Sequence, residues 1–221
     1  MFSLNKLTKL ASRKNLSKLI LKEINNVKKG RDKIKILNIG SGGEIANLIK
    51  NINGVDLFNV DIDSERKPDL VFDICNFELK KHLPFNPDII TIFEVLEHVE
   101  NPFKAIENIN QILDNDKICL GSVPFNFHIH DEPNDYFRFT SFGLKKLFSS
   151  FKIVEIINRN GWLESIFVNL IRLYKEKNIF SKLIGVFFTI IYFIFYPLIL
   201  IIQKIAISDK LTTGYFIVAK K

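Results

Sequence analysis

Four stretches of the chain carry residues able to hold a nucleoside, and a fifth carries residues able to move a proton. The segment ILNIGSGGE contains Gly40-Ser41-Gly42-Gly43. Glycines between a strand and a helix let the backbone turn tightly and meet a ligand closely at a helix N-terminus. Asp61, in NVDID and followed by Ile62, is a carboxylate placed to accept both hydroxyls of a ribose. Asp73 follows in VFDI, and Phe93-Glu94-Val95-Leu96-Glu97-His98 comes next. Any one of these alone reads as a turn glycine or a solvated carboxylate. All four in order, each after an apolar run, point to a nucleoside-binding site. The fifth stretch, PFNFHIHDEPNDYFRFT, sets His128, His130, Asp131, Asp135, Tyr136 and Arg138 within 11 residues. Imidazole titrates near neutrality and suits proton transfer, and a guanidinium suits an anionic group such as a phosphate. The other reading of Asp135 and Arg138 is an ion pair that pins the loop, with Tyr136 packed beneath it.

Glu94, Glu97 and His98 fall at i, i+3 and i+4 and share a face if that turn is helical. With His128 or His130 they offer acceptable ligands for a divalent metal, but no fixed metal spacing is present. The expectation is a hydrogen-bonding place for His98 at the pocket rim and no metal. Two cysteines, Cys75 and Cys119, sit in apolar runs and read as buried thiols. They are too few for a disulfide framework or a cysteine-built zinc site.

The elements that must position these residues alternate between strand and helix. Apolar runs at 34–39, 55–60, 88–92, 117–122 and 152–157 read as buried strands, with a shorter one at 70–72. Residues 44–51, 102–113 and 141–150 read as helices between them. The second is well signalled: Asn101 can cap it, Pro102 suits its first turn, and Ile106, Ile109 and Leu113 form one stripe. This alternation predicts right-handed crossovers and a parallel sheet covered on both faces, with ligands beyond the carboxyl ends of the strands.

In that order and at that spacing, ILNIGSGG, VDID, VFDI, LPF and FEVLEHVENP resemble the S-adenosylmethionine-dependent methyltransferases of class I. The run PFNFHIHDEPNDYFRFT, with the helix and the strand KIVEII after it, resembles a bacterial subgroup often associated with cell-surface glycan synthesis. The resemblance covers roughly residues 34–160 and the last strand, GYFIVAKK. It implies a Rossmann-like α/β fold: a mostly parallel sheet with its last strand antiparallel and helices on both faces. It implies S-adenosylmethionine as cofactor. Gly40, Ser41 and Gly42 would line the methionine part, Asp61 and Ile62 the ribose side, Asp73 and Ile74 the adenine edge, and Phe93 and Glu94 would close the site. The family's usual acid two residues before the first glycine is Asn38 here, and its last loop glycine is replaced by Glu44 unless Gly43 serves. The methyl would point toward the loop after the fifth strand. There His130 is the leading candidate for general base and His128 the second, with Asp131, Asp135, Tyr136, Arg138 and His98 on the acceptor side.

Outside this domain the chain has two appendages. With 221 residues, 47% hydrophobic and 25% charged, it holds one domain and its additions, and global disorder is excluded. Residues 1–35 carry 11 Lys and Arg against Glu23 and Asp32, a net of +9; the whole chain is +7, so the rest is −2. The basic excess thus lies outside the catalytic domain, which argues against nucleic acid as partner. Leu4, Leu7, Leu10, Leu16, Leu19, Ile20, Ile24 and Val27 recur at helical spacing among the lysines. Residues 1–32 therefore read as a basic amphipathic helix, either an arm for anionic lipid or a solvated helix. It lacks the apolar core and cleavage site of a secretory signal.

Residues 183–202 contain no charge and are long enough as one helix to span a bilayer. A single crossing would strand the final β-strand on the far side, and lysines flank both ends. The expectations are a re-entrant insertion bent near Pro197, a helix lying in the membrane interface, or an apolar subdomain packed on the sheet or in a dimer. The resulting division is 1–32 as leader, 33–160 with 212–221 as methyltransferase domain, and 161–211 as apolar helical insertion. The expected enzyme sits peripherally or monotopically at the inner face of the cell membrane and O-methylates a lipid-linked or surface glycan. An isoprenoid quinone or other lipid as acceptor, and a catalytically silent cofactor-binding scaffold in a glycan-assembly complex, are the alternatives.

Overall fold

The computed structural model describes residues 12, 13 and 15–221; the expected stripe positions Leu4, Leu7 and Leu10 lie outside them. In chain order the elements are α1 (Leu16–Lys28), β1 (Ile34–Ile39), α2 (Glu44–Lys50), β2 (Val55–Asp61), β3 (Leu70–Val71), β4 (Ile89–Phe93), α3 (Pro102–Ile112), β5 (Ile118–Pro124), α4 (Ser141–Leu147), β6 (Ile153–Asn158), α5 (Trp162–Arg172), α6 (Ile179–Ile194), α7 (Tyr196–Ile205) and β7 (Gly214–Lys220). The strands form one seven-stranded sheet in the order β3-β2-β1-β4-β5-β7-β6. Strands β1 to β5 pair in parallel, with Ile36 opposite Leu57 on one side and Ile89 on the other. The last strand runs the other way. The Lys221 amide donates to Lys117 O at 3.0 Å and the Lys152 amide to Lys220 O at 2.9 Å, so β7 is antiparallel to both neighbours. The parallel strands are those the strand–helix alternation predicts, and the antiparallel last strand is the one the resemblance implies.

Chain contacts divide the molecule into two units. One comprises residues 17–123, 131–157 and 216–221 and holds nearly all of the sheet; the other comprises, among the described residues, 12, 13, 15, 16, 124–130 and 158–215. In the sheet unit every residue of β4 is buried, and Ile36, Leu37, Ile90, Leu120 and Phe216 are fully so. Burial on both faces is why these strands read as continuous apolar runs rather than as alternating ones. On α1, Ile20 and Ile24 are likewise fully buried. The amphipathic stripe of this part of the leader is therefore spent inside the fold, and its lysines are left outward.

Local signals set the helix starts. Asn101 Oδ1 accepts from the Lys104 amide at 3.0 Å with Pro102 in the first turn, as the sequence predicts. Thr140 caps α4 through the Gly143 amide at 3.0 Å. The helix expected to reach residue 150 ends at Leu147, because Phe148 and Phe151 leave the helical path to enter the core. Both cysteines are free, as expected. Cys119 is buried, whereas Cys75 is only half-buried and its thiol donates to Asn101 O at 3.5 Å. Burial raises the pKa of both thiols, and the Asp73 charge adds to the effect at Cys75.

At the edge of the sheet where β4 begins, Asp88 accepts from the Lys35 amide at 3.0 Å and Arg31 Nη1 at 2.9 Å, and pairs with Lys117. Burial alone would push this carboxyl up, but Lys117, the Lys35 amide and Arg31 outweigh it and hold it below the ordinary range. A depressed carboxyl stabilises the fold above its unfolded value, ~3.9, and ceases to as pH falls through the folded value. Asp88→Asn should cost ~1–3 kcal/mol at neutral pH. In urea titrations across pH, its stability should converge with that of the wild type as pH falls through the folded value of Asp88. A gap that stays constant throughout the acid range would contradict the assignment.

Candidate functional site

The parallel strands bring their carboxyl ends to one edge of the sheet unit, and the nucleoside-handling residues lie there. Gly40, the first residue past β1, adopts φ +88°, a left-handed conformation that disfavours side chains. A Cβ built on it would lie 2.5 Å from Val95 Cγ2, so the loop admits no side chain at this point. Its amide donates to Val60 O at 2.8 Å, tying the turn to β2.

Asn38 supports the turn from below. It is buried, with Nδ2 donating to Gly40 O at 3.1 Å and to Asn59 Oδ1 at 3.0 Å, while its Oδ1 accepts from Thr91 Oγ1 at 2.8 Å. Three strands and the glycine loop thus meet on one amide. Where the family has an acid, this chain has a group whose hydrogen bonds all go to the fold. Asn38 consequently acts on the loop it braces rather than as a charge.

Asp61 ends β2 with 7% of its surface exposed. Its Oδ2 accepts from the Ser41 amide at 2.7 Å and Ser41 Oγ at 3.1 Å, and its Oδ1 from the Asp63 amide at 3.0 Å. One carboxylate therefore sets the relative position of the glycine loop and the end of β2. Arg66 Nη1 stands 3.8 Å from Asp61 Oδ2, and Arg66 Nε 3.3 Å from Asp63 Oδ2. A Cβ on Gly42 would meet the Arg66 guanidinium at 2.7 Å. Sequence reasoning missed this cation; its spacing of five residues from the acid matches no motif. Ile62 is 72% exposed beside the buried carboxylate, an apolar surface of the kind a base can cover. Asp73 accepts from the Cys75 amide at 2.8 Å and shapes the turn into the buried Ile74.

After β4, Phe93 stacks on Phe216 with ring centroids 6.2 Å apart. Glu94 takes φ +55°, which is costly for a residue with a side chain. It is held there by its amide to Ser122 O at 2.9 Å and by Ser122 Oγ donating to Oε1 at 2.7 Å. The conditional helical face of Glu94, Glu97 and His98 does not form. Only Leu96–His98 makes a helical turn, and the left-handed Glu94 stands outside it. Glu97 is fully buried, and its backbone carbonyl accepts from the Tyr136 and Phe137 amides at 2.8 and 3.2 Å. His98 Nδ1 lies 2.7 Å from Asn134 O, which assigns the proton to Nδ1, and Nε2 lies 3.8 Å from Glu97 Oε1.

The later part of the loop takes the ion-pair arrangement. Arg138 grips Asp135 with both arms, Nη1–Oδ1 at 2.5 Å and Nη2–Oδ2 at 2.6 Å, and the Asp135 side chain is 1% exposed. This two-point pair with Asp135, strengthened by the nearby charges of Glu97 and Glu94, pushes the guanidinium pKa up. Tyr136 is exposed rather than packed beneath the pair, and its hydroxyl donates to Asn134 Oδ1 at 2.9 Å. Asp131 is exposed with φ +54°.

His128 and His130 belong to the other unit, on the segment 124–130. Arg172 Nη1 lies 3.0 Å from His128 Nε2, and since a guanidinium only donates, His128 is neutral with its proton on Nδ1. Arg172 also covers the Phe127 ring at 4.1 Å, and Phe127 meets the His130 ring edge-on at 5.6 Å. The meeting of Arg172 with His128 and Phe127 had no signal in the sequence, since Arg172 reaches His128 by tertiary folding across 44 residues.

Residues 12–162 match a family described as a methyltransferase domain. The chain belongs to that family. It is an S-adenosylmethionine-dependent methyltransferase. No curated protein matches it in sequence. Its structure is similar to that of a SAM-dependent methyltransferase from Archaeoglobus fulgidus, at 19% identity and TM-score 0.59, with 95% of each chain covered. It is also similar to phosphoethanolamine N-methyltransferase 2 from Haemonchus contortus in complex with S-adenosylmethionine. Identity there is 15% and the TM-score 0.54, over 99% of this chain and 57% of that one. The [4+2]-cyclase SpnF has the fold too, at 13% identity and TM-score 0.54, over 90% of this chain and 80% of that one. At such identities the likeness concerns the fold, which hosts more than one chemistry.

The residues present fit the cofactor of this methyltransferase: an open glycine turn where a Cβ would not fit, a buried carboxylate at the end of β2, and an exposed apolar Ile62 beside it. Gly40→Val should abolish S-adenosylhomocysteine binding in calorimetry. Asp61→Ala should weaken it by ~1–3 kcal/mol, the loss of charged hydrogen bonds. Unchanged affinity in either variant would remove the glycine loop and β2 from the cofactor site.

Proposed function

We propose that this methyltransferase methylates a hydroxyl oxygen on an amphiphilic acceptor, a lipid-linked or surface glycan, with His130 as general base. The observation that carries the reading is that one unit holds both the imidazole-bearing segment 124–130 and the exposed apolar helices α6 and α7. Proton-transfer groups and a surface suited to lipid thus occur together. The similarity of residues 124–140 to glycan-associated methyltransferases favours a sugar hydroxyl over a quinone.

When bound, S-adenosylmethionine supplies an electrophilic methyl group. The protein's own part is to hold, orient and deprotonate. Gly40, Ser41 and Gly42 offer backbone at close range, Asp61 offers its carboxylate to the ribose hydroxyls, and Glu94 is fixed at the end of β4. A sugar hydroxyl is a poor nucleophile until its proton leaves as the new bond forms, which is the task of a base near neutrality. His130 comes first for this task because Asp131 follows it in the chain and can orient it, and His128 second. Arg138, held in both arms by Asp135, orders the loop; on this reading its place in binding is through that loop and not through a free guanidinium.

His130→Ala should lower turnover by ~100- to 10,000-fold, the usual worth of a general base, with S-adenosylhomocysteine affinity unchanged. His128→Ala should do less. Single-turnover rates at saturating cofactor measure this, and wild-type rates in both variants would move the base elsewhere.

A further inference from the structure

Helices α6 and α7 of the second unit turn most of their large apolar side chains outward. In α6 the residues turned inward are Gly185, Thr189 and Tyr192, all buried, while Phe180, Leu183, Ile184, Phe187, Ile190, Phe193 and Ile194 are exposed. In α7 Ile199 is buried and Leu198, Ile201 and Ile205 are exposed. Inside the unit Val168, Ile171, Tyr192 and Ile199 form a buried cluster with Phe167 and Phe188 packed on it, and polar bonds lie beside it. Thr189 Oγ1 donates to Gly185 O at 2.8 Å, and the Tyr192 hydroxyl donates to Glu164 Oε1 at 3.5 Å. Glu164 Oε2 accepts from the Gly161 amide and from Gln203 Nε2, each at 3.2 Å. A Cβ on Gly185 would fall on the Tyr174 backbone, so α6 is drawn close to its neighbour by the smallest residue. Water-facing helices have the opposite arrangement.

We propose that the α6–α7 face inserts into one leaflet of an anionic lipid bilayer, as a monotopic wedge. Three observations select lipid as the occupant. No charged residue occurs between Lys182 and Lys204, and the exposed side chains of α6 from Leu183 to its end are all apolar. A protein interface keeps polar groups and a polar rim. Exposed lysines then flank the apolar run in the chain: Lys175, Lys177 and Lys182 before it, Lys204 and Lys210 after it, against Glu176 and Asp209. Such flanking cations suit anionic headgroups. Finally, the helices are joined at 74° with Pro197 in the first turn of α7, which cannot continue the helix before it. No single helix among the described residues is long and apolar enough to cross a membrane. At 1.5 Å per residue, the 16 and 10 residues of α6 and α7 reach ~24 and ~15 Å, short of the ~30 Å hydrocarbon core. The apolar run that looks like a span in sequence therefore enters and turns back.

The proposal says where the enzyme works, and it stands apart from which acceptor is methylated. The test is flotation of the full chain with phosphatidylcholine vesicles, with and without phosphatidylglycerol. Wild type should float with both, and more completely with the anionic ones. Phe187→Glu combined with Ile190→Glu should stay at the bottom. Both positions are exposed, and the emission of the sole tryptophan, Trp162, whose Nε1 donates to Ala206 O at 2.7 Å, should be unchanged and report an intact unit. Lys182→Ala and Lys204→Ala should each weaken binding to the anionic vesicles roughly fivefold and leave phosphatidylcholine binding nearly unaltered. Wild type remaining at the bottom with both vesicles would overturn the proposal. So would a dimer in detergent-free solution that the glutamates dissociate, since the face would then be an interface between copies. Because no methyl transfer enters the readout, a wrong acceptor leaves the result unaffected.

Discussion

A single buried amide holds the nucleoside end of the sheet together. Asn38 donates to the Gly40 carbonyl and to Asn59, and accepts from Thr91, so β1, β2 and β4 are fixed to the glycine loop through one side chain. Asn59 is itself held by Asp69, which accepts from its amide at 2.7 Å and from its Nδ2 at 3.1 Å. Buried polar groups are costly unless fully paired, and a fully paired set fixes one geometry. The left-handed turn at Gly40 and the reach of Ser41 to Asp61 both depend on it. The methyltransferase family's usual acid would contribute charge here; asparagine contributes position.

Much of this was legible in the sequence because its cause is local. Continuous apolar runs announce strands buried on both faces, and Gly40, Asp61, Asp73 and Glu94 announce themselves by following such runs. Asn101 and Pro102 mark a helix start by their own chemistry. What was not legible arises from chain segments far apart. The grip of Asp135 by Arg138 was one of two readings, and only the fold decides between an anion site and a brace. The bond from Arg172 to His128 joins residues on different elements, and no spacing rule brings Arg66 to the glycine loop. The helical face sought in Glu94, Glu97 and His98 fails because Glu94 is left-handed, a strain that its bonds to Ser122 enforce and the sequence does not display.

The apolar segment shows how composition and geometry divide the work. Its 20 uncharged residues permit a span, an interfacial helix or a core. The bend ahead of Pro197 leaves no single helix among the described residues long enough to span, and the inward place of Thr189 and Tyr192 turns the apolar side chains outward. Burial and the charge of Glu164 push the Tyr192 phenol pKa up, keeping it a neutral donor in that interior. The leader differs. Ile20 and Ile24 of α1 are consumed by the fold, so this part of the leader keeps no free apolar stripe.

The proposed reaction is methyl transfer to oxygen on a lipid-borne acceptor. Incubating the protein with S-adenosylmethionine carrying a labelled methyl group and a membrane lipid extract, and following the label, measures it. The expected label is in the organic phase, resistant to mild base as a methyl ether is, released with a sugar on acid hydrolysis, and formed at least ~100-fold more slowly with His130→Ala. Label in a sugar-free lipid, or no transfer by a protein that binds the cofactor, would contradict it.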